Sequence, residues 1–270
     1  MTRASPSLGR MRFGHGVVLA LDTSTPDLSV AAVGPGLRES CRVTVGNAMG
    51  AAIAPEVERL LQDSGLSKGD LAAIAVGAGP GPYTSLRVGL MFARAAGWAL
   101  GVPVLAACSL DVVARAALSA GPRAGAGAAP FGVALDARRR EVYWACYDEE
   151  GRRRIGPLVA RPDDIGSEAT RWFGPGMVDS SAGAGVVDER GPDALVLADW
   201  LRAEWERVVD VRDGGGPQLA AAEVEMVGQG RIWAAPDGDG SSVQSIPQSL
   251  LPARPLYLRR PDAKVPSWLS

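Results

Sequence analysis

The chain has 270 residues, of which 47% are hydrophobic and 21% are charged, and its formal net charge is −2. This length fits one large domain or two modest ones, with a core that needs no metal or disulfide support. The nearly balanced charge argues against a surface built as a whole for nucleic acid, while a local basic patch remains compatible with it. Three widely spaced cysteines without a CxxC pair argue against a disulfide framework.

The N-terminal region predicts a loose extension over residues 1–16. It carries arginines, but the apolar run that follows it, VVLAL, is too short for a signal peptide or a membrane anchor. No apolar stretch elsewhere has the length needed to cross a bilayer. We therefore expect a cytoplasmic protein whose folded part begins at residue 17.

The first part of the chain predicts an α/β unit with a mixed sheet. Three β-rich runs, VVLALDTST, LSVAAVG and ESCRVTVG, are separated by short turns and indicate a meander. PEVERLLQDSG predicts a helix with Pro55 in its first turn and Gly65 at its end. A strand (LAAIAVGAGPG), a helix (SLRVGLMFARAAGWAL) and a strand (VPVLAAC) follow. SLDVVARAAL then predicts a third helix with Ser109 as its N-cap.

The second half predicts a new start of the same pattern. The segment SAGPRAGAGAAP is rich in glycine, alanine and proline and indicates a domain boundary, which gives lobes at 17–120 and 121–270. FGVALDARRREVYWACYDEEGRRRIGPLV predicts three strands joined by turns at 137–140 and 149–151. PDDIGSEATRWF and DALVLADWLRAEWERVV have helical patterns, and residues 213–249 predict a long Gly/Ser-rich insertion.

The stretch GAGPGPYTSLRVG, residues 77–89, lies between a predicted strand and a predicted helix. It is not a Walker loop, because no GK[ST] follows, and its glycines are wrongly spaced for a dinucleotide-binding fingerprint. Pro80 and Pro82 remove two backbone N–H donors that a phosphate-binding loop would use. The pattern therefore predicts a rigid strand-to-helix turn that bends at Gly79 and Gly81.

The helix that follows this turn carries two faces of large side chains. We expect Thr84 and Ser85 to cap it, and one apolar row is enough to dock it on its own sheet. This predicted helix, residues 85–100, is called α2, and its second row, the α2 outer row, consists of Arg87, Met91, Arg94 and Trp98. These residue types are enriched at protein interfaces. Two alternatives stay open: the row binds another protein, or another helix of the same chain covers it.

Few residues of this chain are suited to catalysis. His15 is the only histidine, so sites built on paired histidines are excluded. Asp22, Thr23 and Thr25 form a polar turn after a strand, and Asp136 occupies the matching position in the second half. Two strand-end aspartates could position phosphate and magnesium, as in an actin-like ATPase or phosphotransferase. The alternative is ordinary turn chemistry that needs no ligand.

Four segments come in the order and spacing of one family. They are LALDTST, GAGPGPYTSLRVG with its helix and GVPVLAACSLDVVA, LDARRREVYWACYD, and PLYLRRPDA. The chain resembles the bacterial TsaB (YeaZ-type) proteins of tRNA threonylcarbamoyladenosine biosynthesis. That family typically reads GPGSFTGLRIG in the central motif. Here Pro82, Tyr83 and Ser85 depart from that pattern, and Arg87 and the glycines match it.

The resemblance implies a two-lobed, actin-like ASKHA (RNase H-like) fold and a scaffold role without catalysis or a cofactor of its own. It implies that a TsaD-type subunit performs the transfer to tRNA, that a TsaE-type ATPase joins with ATP and magnesium, and that the protein alone is a homodimer. The α2 outer row would then bind the partner, and Asp22, Thr23, Thr25 and Asp136 would be vestiges of a nucleotide site. The family often has a His-Ser step before its first helix, so the contacts near Asn47 are expected to differ.

Overall fold

The computed structural model describes residues 16–120, 129–165, 169–177, 185–213, 251–253 and 255–258. They form two β-sheets with helices, so the expected α/β class is confirmed. The expected extension up to residue 15 and the expected insertion from residue 214 onward lie outside the described residues, as does most of the expected boundary segment. Among the described helices, none has the length and apolar character that spanning a membrane requires.

The first sheet contains the predicted meander and two parallel strands beside it. Its strands are β1 (Val17–Asp22), β2 (Asp27–Gly34), β3 (Leu37–Thr44), β4 (Leu71–Gly77), β5 (Val104–Ala107) and β11 (Leu251–Pro252). Their spatial order is β11-β5-β4-β1-β2-β3. β1, β2 and β3 pair antiparallel, while β4 pairs parallel with both β1 and β5. The continuous apolar runs of β1 and β4 follow from this central position, because both of their faces are buried.

The second sheet repeats the antiparallel meander. Its strands are β6 (Phe131–Asp136), β7 (Val142–Tyr147), β8 (Arg153–Ala160), β9 (Trp172–Phe173) and β10 (Val186–Asp188), in the order β10-β9-β6-β7-β8. The predicted turns after β6 and β7 are confirmed. The helix predicted for PDDIGSEATRWF is wrong, since Pro162–Asp164 is a short 3-10 turn and Trp172 and Phe173 pair with β6 and β10. Pairing between distant strands overrides the local pattern there.

The described ranges also contain four α-helices: α1 (Met49–Asp63), α2 (Tyr83–Leu100), α3 (Ser109–Ser119) and α4 (Ala194–Asp213). α1 begins six residues before the predicted start, so Pro55 lies inside the helix and not in its first turn. Met49 and Ile53 are both buried. They extend the apolar face of Val57 and Leu60 toward the N-terminus of the helix. The burial of this extended face explains the earlier start.

α4 comes from the second half of the chain but packs on the first sheet, on the face opposite α1 and α2. Small residues at the contact, such as Ala31, Ala75 and Ala198, allow helix and sheet to approach closely. The Ala194 N–H donates to the buried Ser29 Oγ at 2.9 Å and fixes the start of α4 on β2. The first sheet is therefore completed by α4 and β11, which follow the second sheet in the chain.

α3 connects the two sheets through a buried ion pair. Asp111 on α3 is fully buried and accepts hydrogen bonds from Tyr147 Oη at 2.7 Å and Arg153 Nη1 at 2.9 Å. Tyr147 belongs to β7 and Arg153 to β8, so both partners come from the second sheet. A buried pair of this kind is costly to break by removing one partner, which fixes α3 against that sheet.

Candidate functional site: the strand-end turn and the outer face of α2

The turn after β1 is a closed hydrogen-bond network. Asp22 is only 1% exposed, and its Oδ1 accepts from the Ser24 backbone N–H at 2.8 Å and the Ser24 hydroxyl at 2.6 Å. Its Oδ2 accepts from the Ser109 hydroxyl at 2.7 Å. Burial raises the pKa of the Asp22 carboxyl, and the hydrogen bonds from Ser24 and Ser109 oppose that rise. Both carboxylate oxygens thus accept hydrogen bonds inside the protein, and the bond from Ser109 connects β1 to α3.

Three glycines of the 77–89 motif accommodate this turn. A Cβ atom added at any of them would come closer than 3.0 Å to residues 22–24, a distance that real Cβ atoms essentially never show. The pairs are Gly77 with the Asp22 carboxylate, Gly81 with Ser24, and Gly89 with the Thr23 side chain. The glycines therefore allow close packing of two chain segments, which is consistent with a rigid turn.

This packing gives a stability prediction for Gly89, which lies inside α2. Glycine to alanine usually stabilises a helix interior by roughly 0.5–1 kcal/mol, but the Thr23 hydroxyl, bonded to the Ser85 carbonyl at 3.0 Å, cannot give way easily. We expect Gly89→Ala to lower the free energy of unfolding by about 1–3 kcal/mol in chemical denaturation. Gly50→Ala is the matched control, because its nearest neighbour atom is 3.8 Å away. Equal stabilisation by both substitutions would contradict the packing role.

The start of α2 differs from the prediction. Pro82 occupies the N-cap position and the helix begins at Tyr83 without a side-chain cap, so capping by Thr84 and Ser85 is wrong. Both residues lie in the first helical turn, and the φ of Pro82, −57°, sets the entry direction. The turn itself does bend at Gly79, whose φ of 91° is a conformation that favours glycine.

Ser109 is a further residue of this site that sequence reasoning assigned wrongly. Cys108, not Ser109, occupies the N-cap position of α3. The fully buried Ser109 hydroxyl instead donates to Asp22 and accepts from the Gly79 N–H at 3.2 Å, while the Ser109 N–H donates to the Gly79 carbonyl at 2.7 Å. Ser109 therefore joins the two strand-end turns. The sequence offered one indication of this contact: a serine follows an apolar strand, and an aspartate ends another strand.

The outer face of α2 carries large side chains that the described part of the chain leaves uncovered. Met91 is 59% and Trp98 77% exposed, Arg87 is exposed and Arg94 is half-buried. The opposite face of α2 is buried in the core, as its apolar row predicted. Among the described residues, no other helix of the chain therefore covers the α2 outer row.

The helix beside α2 adds a flat, small-residue surface. Exposed positions in the first half of α1 are Gly50, Ala51, Ala54 and Pro55. Gly50 faces α2, because a Cβ there would lie 3.8 Å from Val88. The small side chains leave low relief next to the protruding Met91, which is the shape that a helix of another protein needs for close approach.

The C-terminal segment supports the first turn of α2. The Leu256 N–H donates to the Ala78 carbonyl at 2.8 Å, and the Tyr257 ring stacks on Tyr83 with centroids 4.9 Å apart. Arg87 donates to the Tyr83 hydroxyl at 2.6 Å, and its guanidinium lies 5.0 Å from the centre of the Tyr83 ring. Sequence reasoning missed Tyr83 and Tyr257, because their contact joins residues far apart in the chain. Residues 255–258 thus position the N-terminal end of the α2 outer row.

Asp136 and Thr25 occupy surroundings unlike that of Asp22. Asp136 is exposed at the end of β6, and its Oδ1 accepts the Arg138 N–H at 2.7 Å. The Thr25 hydroxyl bonds the Asp27 backbone at 3.3 Å. These are the contacts of ordinary turns. Within the described ranges, no group of three or more His, Cys, Asp and Glu side chains is arranged to hold a metal ion.

Comparisons with known proteins find matches among proteins of tRNA threonylcarbamoyladenosine formation. A family model described as tRNA N6-adenosine threonylcarbamoyltransferase (TsaD) matches residues 47–168. The chain is 36% identical to the Escherichia coli tRNA threonylcarbamoyladenosine biosynthesis protein TsaB over 138 residues, which are 50% of this chain and 57% of that protein. An uncharacterized protein of Mycobacterium tuberculosis is 35% identical over 255 residues, covering 92% of this chain and 93% of that protein.

A solved structure extends the match to the fold. YeaZ from Pseudomonas aeruginosa superposes with a TM-score of 0.60 at 30% sequence identity. The superposition covers 71% of this chain and 93% of that chain. The similarity thus spans nearly the whole of that neighbour and extends well beyond the central motif.

Proposed function

Because the chain belongs to the TsaB/YeaZ family, we propose that it is a non-catalytic scaffold subunit in tRNA threonylcarbamoyladenosine biosynthesis that acts by binding a TsaD-type subunit. In this proposal the TsaD-type subunit transfers threonylcarbamoyl to the adenosine next to the tRNA anticodon. A TsaE-type ATPase joins the assembly and accounts for its use of ATP and magnesium. The tRNA is the substrate of the whole assembly, which would work in the cytoplasm.

The exposed α2 outer row is the observation that carries the proposal. Fully burying a side chain the size of Met or Trp stabilises an interface by roughly 1.5–3 kcal/mol each. Trp98 at 77% exposure and Met91 at 59% leave most of that stabilisation unused in the single chain. Two such residues on one helical face, flanked by Arg87 and Arg94, have the composition of the centre of a protein interface.

The shape of this surface favours a helical partner. The small residues of α1 let another helix come close to the backbone, while Met91 and Trp98 project beyond it. We propose that helices of the TsaD-type subunit lie across α1 and α2. A second copy of this chain would use the same surface when the partner is absent, so homodimer and complex would exclude each other.

The enclosed Asp22 supports a structural role over the ATPase alternative. A carboxylate that positions phosphate or a magnesium-bound water needs an accessible oxygen, whereas both oxygens of Asp22 are occupied by Ser24 and Ser109. Calorimetric titration of the isolated protein with Mg-ATP separates the two functions. Micromolar binding that disappears in Asp136→Ala, a variant that leaves the buried network in place, would favour the ATPase.

The test of the scaffold proposal is the mass of the purified protein in solution, measured alone and after mixing with the TsaD-type protein of the same organism. We expect a homodimer alone and a one-to-one complex after mixing. A mixture that stays as two separate species at micromolar concentrations would rule out the proposed partner.

A further inference from the structure

The turn between β6 and β7 contains three consecutive arginines in an unusual conformation. Arg138, Arg139 and Arg140 have φ angles of 63°, 56° and 62°, and all three are exposed. The left-handed conformation costs a non-glycine residue on the order of 1–2 kcal/mol. The described residues with positive φ are otherwise all glycines. A turn that combines this cost with three like charges is a candidate for a binding function.

Hydrogen bonds hold this turn in one shape. The Ala137 N–H donates to the Glu141 carbonyl at 2.9 Å, and the Glu141 N–H donates to the Arg138 carbonyl at 3.0 Å. Asp136 Oδ1 accepts the Arg138 N–H at 2.7 Å. The arginines therefore project from a preformed backbone, which lowers the ordering cost of binding a ligand.

The charge of the turn is positive although acids flank it. Asp136 Oδ2 lies 3.6 Å from Arg138 Nη1, with the two side chains 49% and 64% exposed, and Glu141 follows Arg140. Solvent screens an exposed pair of this kind. By sequence, residues 136–141 carry three guanidinium groups and two carboxylates, in a chain with a formal net charge of −2.

The number and spacing of the arginines indicate what kind of anion fits. Arg138, Arg139 and Arg140 are consecutive and all exposed, so each long side chain can contact a different anionic group. They can meet several anionic groups spaced along a polymer. Each guanidinium forms two parallel hydrogen bonds with a phosphate, which makes arginine the side chain best suited to a phosphate backbone.

We propose that this arginine turn, residues 138–140, binds the phosphodiester backbone of the RNA that the complex modifies. The inference rests on the proposed function, because that function brings RNA to the complex. It adds a direct contact between this chain and the RNA, on the second sheet and separate from the α2 outer row. Such contacts position a nucleic acid without reading its sequence.

The test removes the charge and keeps the shape of the turn. The variant Arg138→Gly/Arg139→Gly/Arg140→Gly retains a backbone that glycine adopts without strain, so it should fold at least as stably as the original protein. Fluorescence anisotropy would measure binding of an in vitro transcribed tRNA that reads codons beginning with A to the complex with the TsaD-type subunit. We expect affinity to fall on the order of tenfold and the dependence of log K on log salt to become shallower by about two.

The control is Arg152→Ala/Arg154→Ala, which removes two exposed arginines beyond the other end of β7; its tRNA affinity should stay unchanged. An intact complex in which the glycine variant binds tRNA with unchanged affinity and salt dependence would overturn the inference. So would a variant that keeps tRNA affinity but loses the TsaD-type subunit, since the turn would then bind protein. Failure of the proposed function is seen separately, as absence of the complex with the unaltered chain.

Discussion

Replacing Met91 and Trp98 together with glutamate is expected to abolish the complex with the TsaD-type subunit, lowering affinity by more than about a hundredfold. Loss of apolar burial at two large side chains removes roughly 3 kcal/mol or more, and every 1.4 kcal/mol is about a tenfold change in affinity. The new carboxylates add a further penalty, because an unpaired charge is costly to bury in an interface. Isothermal titration of the purified proteins measures the change.

The same substitution should leave the folded chain intact, because both side chains are largely solvent-exposed. A thermal unfolding midpoint within a few degrees of the unaltered protein is the expected check. Arg152→Glu is the matched control, since it adds the same residue at an exposed turn on the second sheet. Undiminished binding by the double variant, with the control equally active, would remove the α2 outer row from the interface.

Asp22→Ala is expected to destabilise the protein by about 2–4 kcal/mol. The substitution removes the acceptor of three buried hydrogen bonds and leaves the hydroxyls of Ser24 and Ser109 without their partner. Because Ser109 also bonds Gly79, the loss should loosen the connection between β1, α3 and the 77–89 motif. Urea denaturation measures the free energy of unfolding.

The informative comparison is with the other strand-end aspartate. Asp136 is exposed and bonded only within its own turn, so Asp136→Ala should change stability by less than about 1 kcal/mol. The sequence pattern treats the two aspartates as equivalent, but their replacement should therefore change the free energy of unfolding by clearly different amounts. Equal and small effects of both substitutions would show that the Asp22 network contributes little to folding.

Much of the fold could be predicted because its signals are local. Both meanders follow from apolar runs separated by turns, and the buried face of α2 follows from helical spacing. The parts that failed depend on residues far apart in the chain. β9 forms because β6 and β10 lie on either side of it, and α4 packs on β1, β2 and β4, which precede it by more than a hundred residues. No window of sequence contains that information.

In the candidate site, too, local features could be predicted and contacts between distant residues could not. The spacing of Met91 and Trp98 predicted one helical face, and their exposure is as expected of a partner-binding row. The capping role of Thr84 and Ser85 failed because Pro82 already occupies the cap position. Residue type alone also could not reveal that Gly77, Gly81 and Gly89 pack on residues 22–24, since these contacts join separate strand ends.

The measurement that tests the account most directly is formation of threonylcarbamoyladenosine on tRNA in a reconstituted system with the TsaD-type and TsaE-type proteins. Omission of this chain, or its replacement by Met91→Glu/Trp98→Glu, should abolish the modification, whereas the control Arg152→Glu should support it fully. That outcome is expected if the chain acts by binding its partner. Full modification with the interface variant, at protein concentrations where it forms no complex with the TsaD-type subunit, would contradict the account.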